Sequence, residues 1–225
     1  MSYVAVIPAR GGSKGIKGKN LQLVGEHSLL ARAILAAQEV ADIKRIIVST
    51  DDDNIAKEAE KYQAEVHKRS PETSNDSAKT IDAVAELVRD FGLSLEVCVL
   101  LQPTSPLRTS EDIQLAIDVY KSNNMGSCVT VTASEHHPFK MIIKNNDGYH
   151  PVTQLSDLEQ PRQQLPQAFR INGAVYVIGF KELLDNMSFF VQPQGFVEMS
   201  ECTSIDIDTY ADLQKANELI KGKNL

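Results

Sequence analysis

Three cysteines in 225 residues, Cys98, Cys128 and Cys202, stand far apart with no CxxC spacing and no histidine cluster beside them. That excludes a disulfide framework and a zinc site, and the apolar runs around Cys98 and Cys128 assign both to core packing. No apolar run approaches the roughly 18 residues that span a bilayer, and no basic-then-apolar leader opens the chain. The expected compartment is the cytoplasm, with no membrane partner. Positive charge is also scarce: 23 Lys and Arg face 30 Asp and Glu, for a net charge of −7. A nucleic-acid or anionic-lipid surface needs a cationic footprint that this balance does not supply. The dinucleotide fingerprint G-x-G-x-x-G finds no register, which removes the nicotinamide-linked oxidoreductases. There is no internal repeat and no low-complexity segment.

What is present is an alternation of strand and helix in a chain of ordinary composition, 42% hydrophobic and 24% charged, long enough for one α/β domain with a small insertion. "YVAVIPA", "RIIVSTD", "AEVHKR" and "EVCVLLQP" read as buried strands. "SLLARAILAAQEVA", "DNIAKEAEKYQ", "SAKTIDAVAELVRDFG" (with Gly92 at its stop) and "SEDIQLAIDVYKSN" read as the helices between them. Continuous β-branched runs separated by helices predict a three-layer, mostly parallel sheet covered on both faces. After "SCVTVTAS" the rhythm breaks. Residues 135–169 carry His-Pro, Asn-Asn-Asp-Gly and several Gln and Pro, and predict an excursion from the sheet, a hairpin plus an arm. "INGAVYVIGF" returns as a strand and "KELLDNM" as a short helix, and "TSIDIDTYADLQKANELI" closes the chain as strand, turn and helix. The expectation is a single domain over residues 1–225.

Four of the 23 cations, Arg10, Lys14, Lys17 and Lys19, fall in "ARGGSKGIKGKN" just after the first strand. Glycines there allow backbone amides to approach phosphate oxygens, Arg10 offers a bidentate fork, and Lys14 and Lys19 act as point charges. The P-loop pattern does not fit: it would align on Gly18-Lys19, but Ser13 stands where its first glycine belongs and Asn20 where its hydroxyl belongs. In "SIDIDT", a strand period of two puts Asp206 and Asp208 on one face and Ile207 on the other. Two hard oxygen donors so placed suit magnesium, although D-x-D alone is a weak signal. "LLQPTSPLR" sets Gln102, Thr104, Ser105 and Arg108 on a proline-stiffened turn at a strand end, and "FRINGAVY" carries Arg170, Asn172 and Tyr176. Arg170 suits a carboxylate. Phe189-Phe190 is either core or the apolar wall of a pocket. His136-His137 lacks a third ligand at metal spacing and reads as surface. Since ligands of open parallel sheets bind outside the carboxyl ends of strands, these polar residues predict one shared cleft.

Taken together, "IPARGGSKGI..KN", "VSTDDDNIA", "LLQPTSPLR", "LSDLEQPRQQLPQAFRINGAVY" and "SIDIDTYADLQKA" resemble the acylneuraminate cytidylyltransferases, and among them the bacterial CMP-N-acetylneuraminate synthetases. The resemblance runs from Val6 to about Asn217. It implies a nucleotide-diphospho-sugar-transferase-like sheet in which residues 135–169 serve as a dimerisation arm, and a homodimer. It implies transfer of CMP from CTP to the anomeric hydroxyl of N-acetylneuraminic acid with loss of pyrophosphate, aided by Mg2+ or Mn2+. Carried over residue by residue, Arg10, Gly11, Ser13, Lys19 and Asn20 would meet the CTP phosphates, and Arg69, Ala78 and Thr80 would frame cytosine and ribose. Gln102, Arg170, Asn172, Tyr176, Phe189 and Phe190 would line the sugar pocket, and Lys140 and Arg162 would reach toward the partner subunit's site. Asp206 and Asp208 would carry the metal. Catalysis would rest on Arg10 and Lys19 as charge stabilisers, with proton removal falling to a carboxylate such as Asp208 or to water on the metal. One departure is Lys17-Gly18, where relatives often have a proline. The alternative within the class is a related acid sugar, legionaminic, pseudaminic or 3-deoxy-octulosonic acid. The hydrolase-like domain that some relatives append has no counterpart, so one activity is expected.

Overall fold

The structure, a computed structural model, describes residues 2–12, 15–75, 77–122 and 126–223; Ser13 and Lys14 lie outside them. Along the chain run β1 (Tyr3–Pro8), a small hairpin of β2 (Leu23–Val24) and β3 (His27–Ser28), α1 (Leu29–Gln38), β4 (Ile43–Thr50), α2 (Asp53–Lys61) and β5 (Glu65–Lys68). Next come α3 (Pro71–Ser74), α4 (Thr80–Phe91), β6 (Val97–Leu100), α5 (Ser110–Ser122) and β7 (Ser127–Ala133). The excursion holds β8 (Ile142–Asn145), β9 (Gly148–Pro151) and α6 (Leu155–Glu159), and the chain ends with β10 (Phe169–Gly179), α7 (Phe180–Asn186), β11 (Gln194–Glu198) and α8 (Tyr210–Lys223).

Seven strands form one sheet in the order β11-β7-β10-β6-β1-β4-β5. Every pairing is parallel except those of β10, which runs antiparallel to both β6 and β7. The period-two geometry of a strand divides the core into two layers. Tyr3, Ala5 and Ile7 of β1 pack with Leu30 and Ile34 of α1 and Ile113 and Ile117 of α5. Val4 and Val6, on the opposite face, pack with Val84 and Leu87 of α4 and with Phe180 and Leu183. The three-layer, mostly parallel α/β fold expected from the alternation is the one observed. Cys98 and Cys128 are buried in it, and burial pushes both thiols up, that of Cys128 to about 11.

Three local features differ from the sequence expectation. β11 was not expected; it is a five-residue edge strand with alternating burial, too short and too mixed to stand out. β10 carries a register break between Ile171 and Tyr176, so residues 172–175 bulge out of the ladder. "SIDIDT" is not a strand. Residues 204–207 are irregular, joined to the sheet side through the Ile207 amide, which donates to the Thr104 carbonyl at 2.8 Å. Ile207 is fully buried while Asp206 and Asp208 are exposed, so the two carboxylates still share a side opposite the isoleucine.

Residues 135–169 stand off the sheet as β8–β9 and α6. No apolar core organises this stretch. The Lys140 ammonium donates to the carbonyls of Asp157, Leu158 and Gln160, and buried Asp157 accepts from Gln154 and Gln160. Met141, Ile142, Ile143, Tyr149 and Leu155 remain exposed.

Candidate active site

At the carboxyl ends of β1, β5 and β6 opens a cleft of about 520 Å³. Arg10, Lys19, Asn20, Arg69, Ala78, Thr80, Gln102, Asp206 and Asp208 line it, together with Thr73, Asn75, Lys79 and Thr104. Nine residues named from sequence, drawn from five separate stretches, are thus brought to one wall-to-wall depression. Of the last four, Thr104 was marked with Gln102 on the proline turn, and Thr73, Asn75 and Lys79 were not singled out from sequence. Lys79 and Asn75 lie in "TSNDSAKT", where nothing but adjacency to Ala78 and Thr80 marks them.

The glycine-rich loop is positioned by a small apolar knot. Ile16 packs with Val24, Leu29, Ile207 and Ala216, so the loop and the Asp206–Asp208 stretch are anchored by the same cluster. Gly15 makes their approach possible: a Cβ there would lie 2.5 Å from the Asp208 carbonyl oxygen, a distance no side chain tolerates. Lys19 then reaches across, its ammonium donating to the Ile207 carbonyl at 2.9 Å and to Asp208 Oδ1 at 3.1 Å. Asn20 is buried and donates to the Arg10 carbonyl at 3.0 Å, which fixes the loop from within. Gly11 differs from expectation. Its amide donates to Asp51 Oδ1 at 2.9 Å, so it ties the loop to the end of β4 and does not line the cleft.

The electrostatics are those of an anion site beside a cation site. Burial lowers the pKa of the Arg69 guanidinium; Asp51 and Glu86 oppose that lowering and Arg10 adds to it. Across the cleft Asp206 is raised, first by desolvation and further by Asp208, with a Thr104 hydrogen bond, Lys19 and Arg170 opposing. Asp206 keeps solvent access through the cleft mouth, but the walls around it displace enough water to disfavour its charge. A desolvated carboxylate beside a second carboxylate is a concentration of negative charge that Lys19 and Arg170 offset only in part, and two hard oxygen donors are the set that magnesium or manganese takes. The residues fit the metal implied by the resemblance. Bound there, the ion would supply positive charge against a triphosphate.

Of the residues expected at the sugar, Gln102 lines the cleft and covers the β10 bulge: Gly173 has φ +75°, and a Cβ on it would meet Gln102 Oε1 at 2.7 Å. Tyr176 packs against Phe189 and Phe190 at 5.6 and 6.2 Å between ring centroids, and burial, then Asp206, raises its phenol pKa. Tyr176 is near enough to feel the Asp206 charge, but neither it nor Phe189 nor Phe190 lines the cleft. Arg170 lies in a neighbouring depression of about 500 Å³ that also contains Asp206, so Asp206 is the residue common to both. Asn172 differs. It is buried, accepting from Thr130 Oγ1 and the Ala174 amide and donating to Ser204 Oγ and Met199 Sδ, which uses its whole hydrogen-bonding capacity. It braces the loop before Asp206 and offers nothing to a ligand. Lys140 and Arg162 sit in the excursion and do not reach this cleft; Lys140 is occupied by carbonyls at the end of α6 and by that of Gln160. Arg108 is buried too, donating to the Gln102 and Ala174 carbonyls at 3.0 and 2.9 Å and so holding the proline turn against the bulge; desolvation lowers its pKa to about 10.

A parallel sheet whose glycine-rich first loop faces two carboxylates across an arginine-lined cleft defines a nucleotide-dependent transferase of the α/β class. The chain belongs to the cytidylyltransferase family, whose model matches residues 4–224. It is 33% identical to a post-translational flagellin modification protein B of Campylobacter coli, over 99% of this chain and 96% of that one. Identity is also 33% with a CMP-N,N'-diacetyllegionaminic acid synthase of Legionella pneumophila, over 98% and 97%. An N-acylneuraminate cytidylyltransferase of Streptococcus agalactiae is 32% identical over 94% of this chain but only 52% of its own length, so the chain spans about half of that relative. Among solved structures, CMP:2-keto-3-deoxy-manno-octonic acid synthetase complexed with CTP superposes with a TM-score of 0.75 at 16% identity, covering 99% of this chain and 100% of that one. That likeness establishes the fold. Among the described residues no helix is long and apolar enough to cross a membrane.

Proposed function

We propose that this cytidylyltransferase transfers CMP from CTP to the anomeric hydroxyl of a nine-carbon α-keto acid sugar, N-acetylneuraminic acid in the first instance, with release of pyrophosphate. The observation that carries the reading is the juxtaposition, in one cleft, of Arg10, Lys19 and Arg69 with Asp206 and Asp208. Little covalent work falls to the protein in such a transfer, so positioning and charge stabilisation dominate. Arg10 and Lys19 offset charge on the α-phosphate and on the departing pyrophosphate, while Arg69, Ala78 and Thr80 frame the base and ribose. The sugar lies toward Asp206, with Arg170 on its carboxylate and the Tyr176–Phe189–Phe190 wall on its acyl group. Asp206 lines both depressions and is the better-placed carboxylate for the hydroxyl proton. Asp208 pairs with the Lys19 ammonium, which the Ile207 carbonyl also holds.

A second reading is favoured by one observation. The relatives matched over nearly their whole length are a flagellin modification protein and a legionaminic acid synthase, whereas the acylneuraminate enzyme is matched over half of its own. N,N'-Diacetyllegionaminic acid is therefore the alternative acceptor. Incubation with CTP, magnesium and a panel of acid sugars, reading pyrophosphate release, tests both. Turnover with neither sugar would overturn the acceptor assignment.

The excursion is read as a dimerisation arm. Its exposed apolar side chains and hydrogen-bonded interior suit a surface that packs on a second copy, and Lys140 and Arg162 would come near the partner's cleft in that assembly.

A further inference from the structure

Behind the cleft, on the side of β5 and α4, lies a set of polar side chains that the reaction does not use. Ser49 and His67 face each other in register on β4 and β5 and are both almost fully buried. Arg69 Nε donates to Ser49 Oγ at 2.9 Å, Ser49 Oγ meets His67 Nδ1 at 3.0 Å, and His67 Nε2 meets Asp90 Oδ2 on α4 at 3.1 Å. The direction of this chain follows from its ends. A guanidinium only donates and a carboxylate only accepts. With a neutral imidazole, Ser49 accepts from Arg69 and donates to Nδ1, and His67 carries its proton on Nε2, toward Asp90. These roles interlock without conflict from one end of the chain to the other.

The group at the far end is a cleft residue. Arg69 lines the cleft, its own amide is pinned to the Thr50 carbonyl at 3.0 Å, and its terminal nitrogens make no hydrogen bond among the described residues. A guanidinium anchored at Nε presents those two nitrogens as a fixed fork, whereas one without that anchor swings about its last torsions. His67, Glu86 and Asp90 also bring ligand atoms within 4.8 Å of one another, the arrangement of a candidate metal site. Both imidazole nitrogens are engaged, however, and Glu86 already accepts from the Ser70 amide at 3.0 Å and from the Thr73 hydroxyl. The hydrogen-bond chain accounts for every one of these groups without an ion.

We infer that Asp90, His67 and Ser49 are positioning residues that fix the orientation of Arg69 and through it set the affinity for the nucleotide, while leaving the transfer step itself alone. The inference rests on the reading of the cleft as the CTP site. It predicts a division among kinetic constants that a merely structural role does not produce: CTP affinity falls, while kcat at saturating CTP and KM for the acid sugar stay within about twofold of the parent.

The test is calorimetric binding of CTP without sugar, followed by steady-state kinetics, on Ser49→Ala, His67→Leu, His67→Asn and Asp90→Asn. Loss of one hydrogen bond to a charged group corresponds to about a tenfold weaker Kd for Ser49→Ala and His67→Leu. His67→Asn retains an acceptor at the Nδ1 position and recovers most of that loss. Asp90 is at the half-exposed end of the chain, so Asp90→Asn folds normally and weakens CTP by only about twofold to threefold. Wild-type-like CTP affinity in Ser49→Ala and in His67→Leu overturns the inference. So does a loss in which kcat, both KM values and the thermal midpoint fall together with no recovery in His67→Asn. Wild-type protein that fails to bind CTP overturns the reading of the cleft instead, a result separable from either.

Discussion

The ammonium of Lys19 lies 3.1 Å from Oδ1 of Asp208, bridging residues separated by 189 positions in sequence. The contact joins the glycine-rich loop to the carboxylate stretch directly, and the same ammonium donates to the Ile207 carbonyl. Lys19 is the less exposed partner, at 16% against 73% for Asp208. The lysine is therefore the fixed element, and the carboxylate is the one with freedom to exchange its partner for a metal ion. Such an ion pair, open to water on one side, adds little to stability. Its consequence is placement of a positive charge beside the carboxylates and facing the cleft.

Lys19→Ala should lower turnover by about two or more orders of magnitude, the typical cost of losing one preorganised charge contact to a transition state. The thermal midpoint should change little, since the ion pair is mostly solvated. Near-normal kcat in a folded variant would remove Lys19 from charge stabilisation.

The carboxylates make opposite demands on stability and activity. Asp206 has its pKa raised by desolvation and by Asp208, so its ionised form is less favourable in the folded protein than in the unfolded chain. A raised pKa stabilises the fold only while the proton is bound, and that stability is lost as pH rises through the folded value. Asp206→Asn mimics the protonated state. It should raise the melting midpoint slightly at neutral pH, and the difference from wild type should vanish as pH falls to the ordinary carboxylate value of 3.8. Activity should move the other way, with metal-dependent turnover falling sharply in Asp206→Asn and in Asp208→Asn. The double variant should be little worse than either single one if both act on one ion. Full activity in the double variant would end the metal assignment.

Residues 135–169 should mediate a two-fold dimer. Sedimentation at micromolar concentration should give twice the monomer mass of 24.8 kDa. Replacing Ile142 and Ile143, both more than half exposed, by serine should shift that equilibrium to monomer without unfolding the sheet. A fully active monomer would contradict the arm's proposed role.

How much of this was legible in sequence depended on what each signal measured. Continuous apolar runs such as "YVAVIP" announce a strand buried on both faces, because both alternating sets of side chains meet helices, and these were placed to within three residues. "SIDIDT" shows the limit of the same rule. Its alternation reflects one buried Ile207 between two solvent-facing acids, and an irregular segment pinned at a single apolar residue produces that pattern as well as a strand does. The cleft residues were found because they cluster at strand ends. The brace formed by Asn172, and the chain from Asp90 to Arg69, were not, since buried side-chain hydrogen bonds between distant segments leave no local period in the sequence.

Asn172→Ala tests that brace. It would leave Ser204 Oγ and the Ala174 amide without a partner in a closed interior, while Thr130 keeps its bonds to the Val175 backbone, a cost of about 2–4 kcal/mol for buried unsatisfied polar groups. The prediction is a clear drop in unfolding free energy together with weaker metal dependence, because Ser204 precedes the Asp206 stretch. Loss of activity with unchanged stability would instead place the amide on a ligand.

The last prediction separates the two ends of the sugar. Gln102 is held between the cleft and the Gly173 bulge, with its backbone carbonyl clamped by Arg108, so its carboxamide is presented by a rigid support. Phe190 is 51% exposed and contributes only one edge of the aromatic wall. Loss of Gln102 leaves polar groups of a closed site unpaired, whereas one missing apolar contact is worth only about 1–3 kcal/mol. Gln102→Ala should therefore cost more than Phe190→Ala. Phe190→Ala should mainly raise KM and relax selection at the acyl group, so that bulkier N-acyl sugars gain on N-acetyl ones. Arg170, placed beside Asp206 in the adjoining depression, meets a feature that all these sugars share, the carboxylate. Arg170→Ala should depress activity on every acid sugar alike. If Phe190→Ala leaves acyl preference untouched while Arg170→Ala alters it, the sugar lies the other way round, with its carboxylate against the aromatic wall and its acyl group toward Arg170.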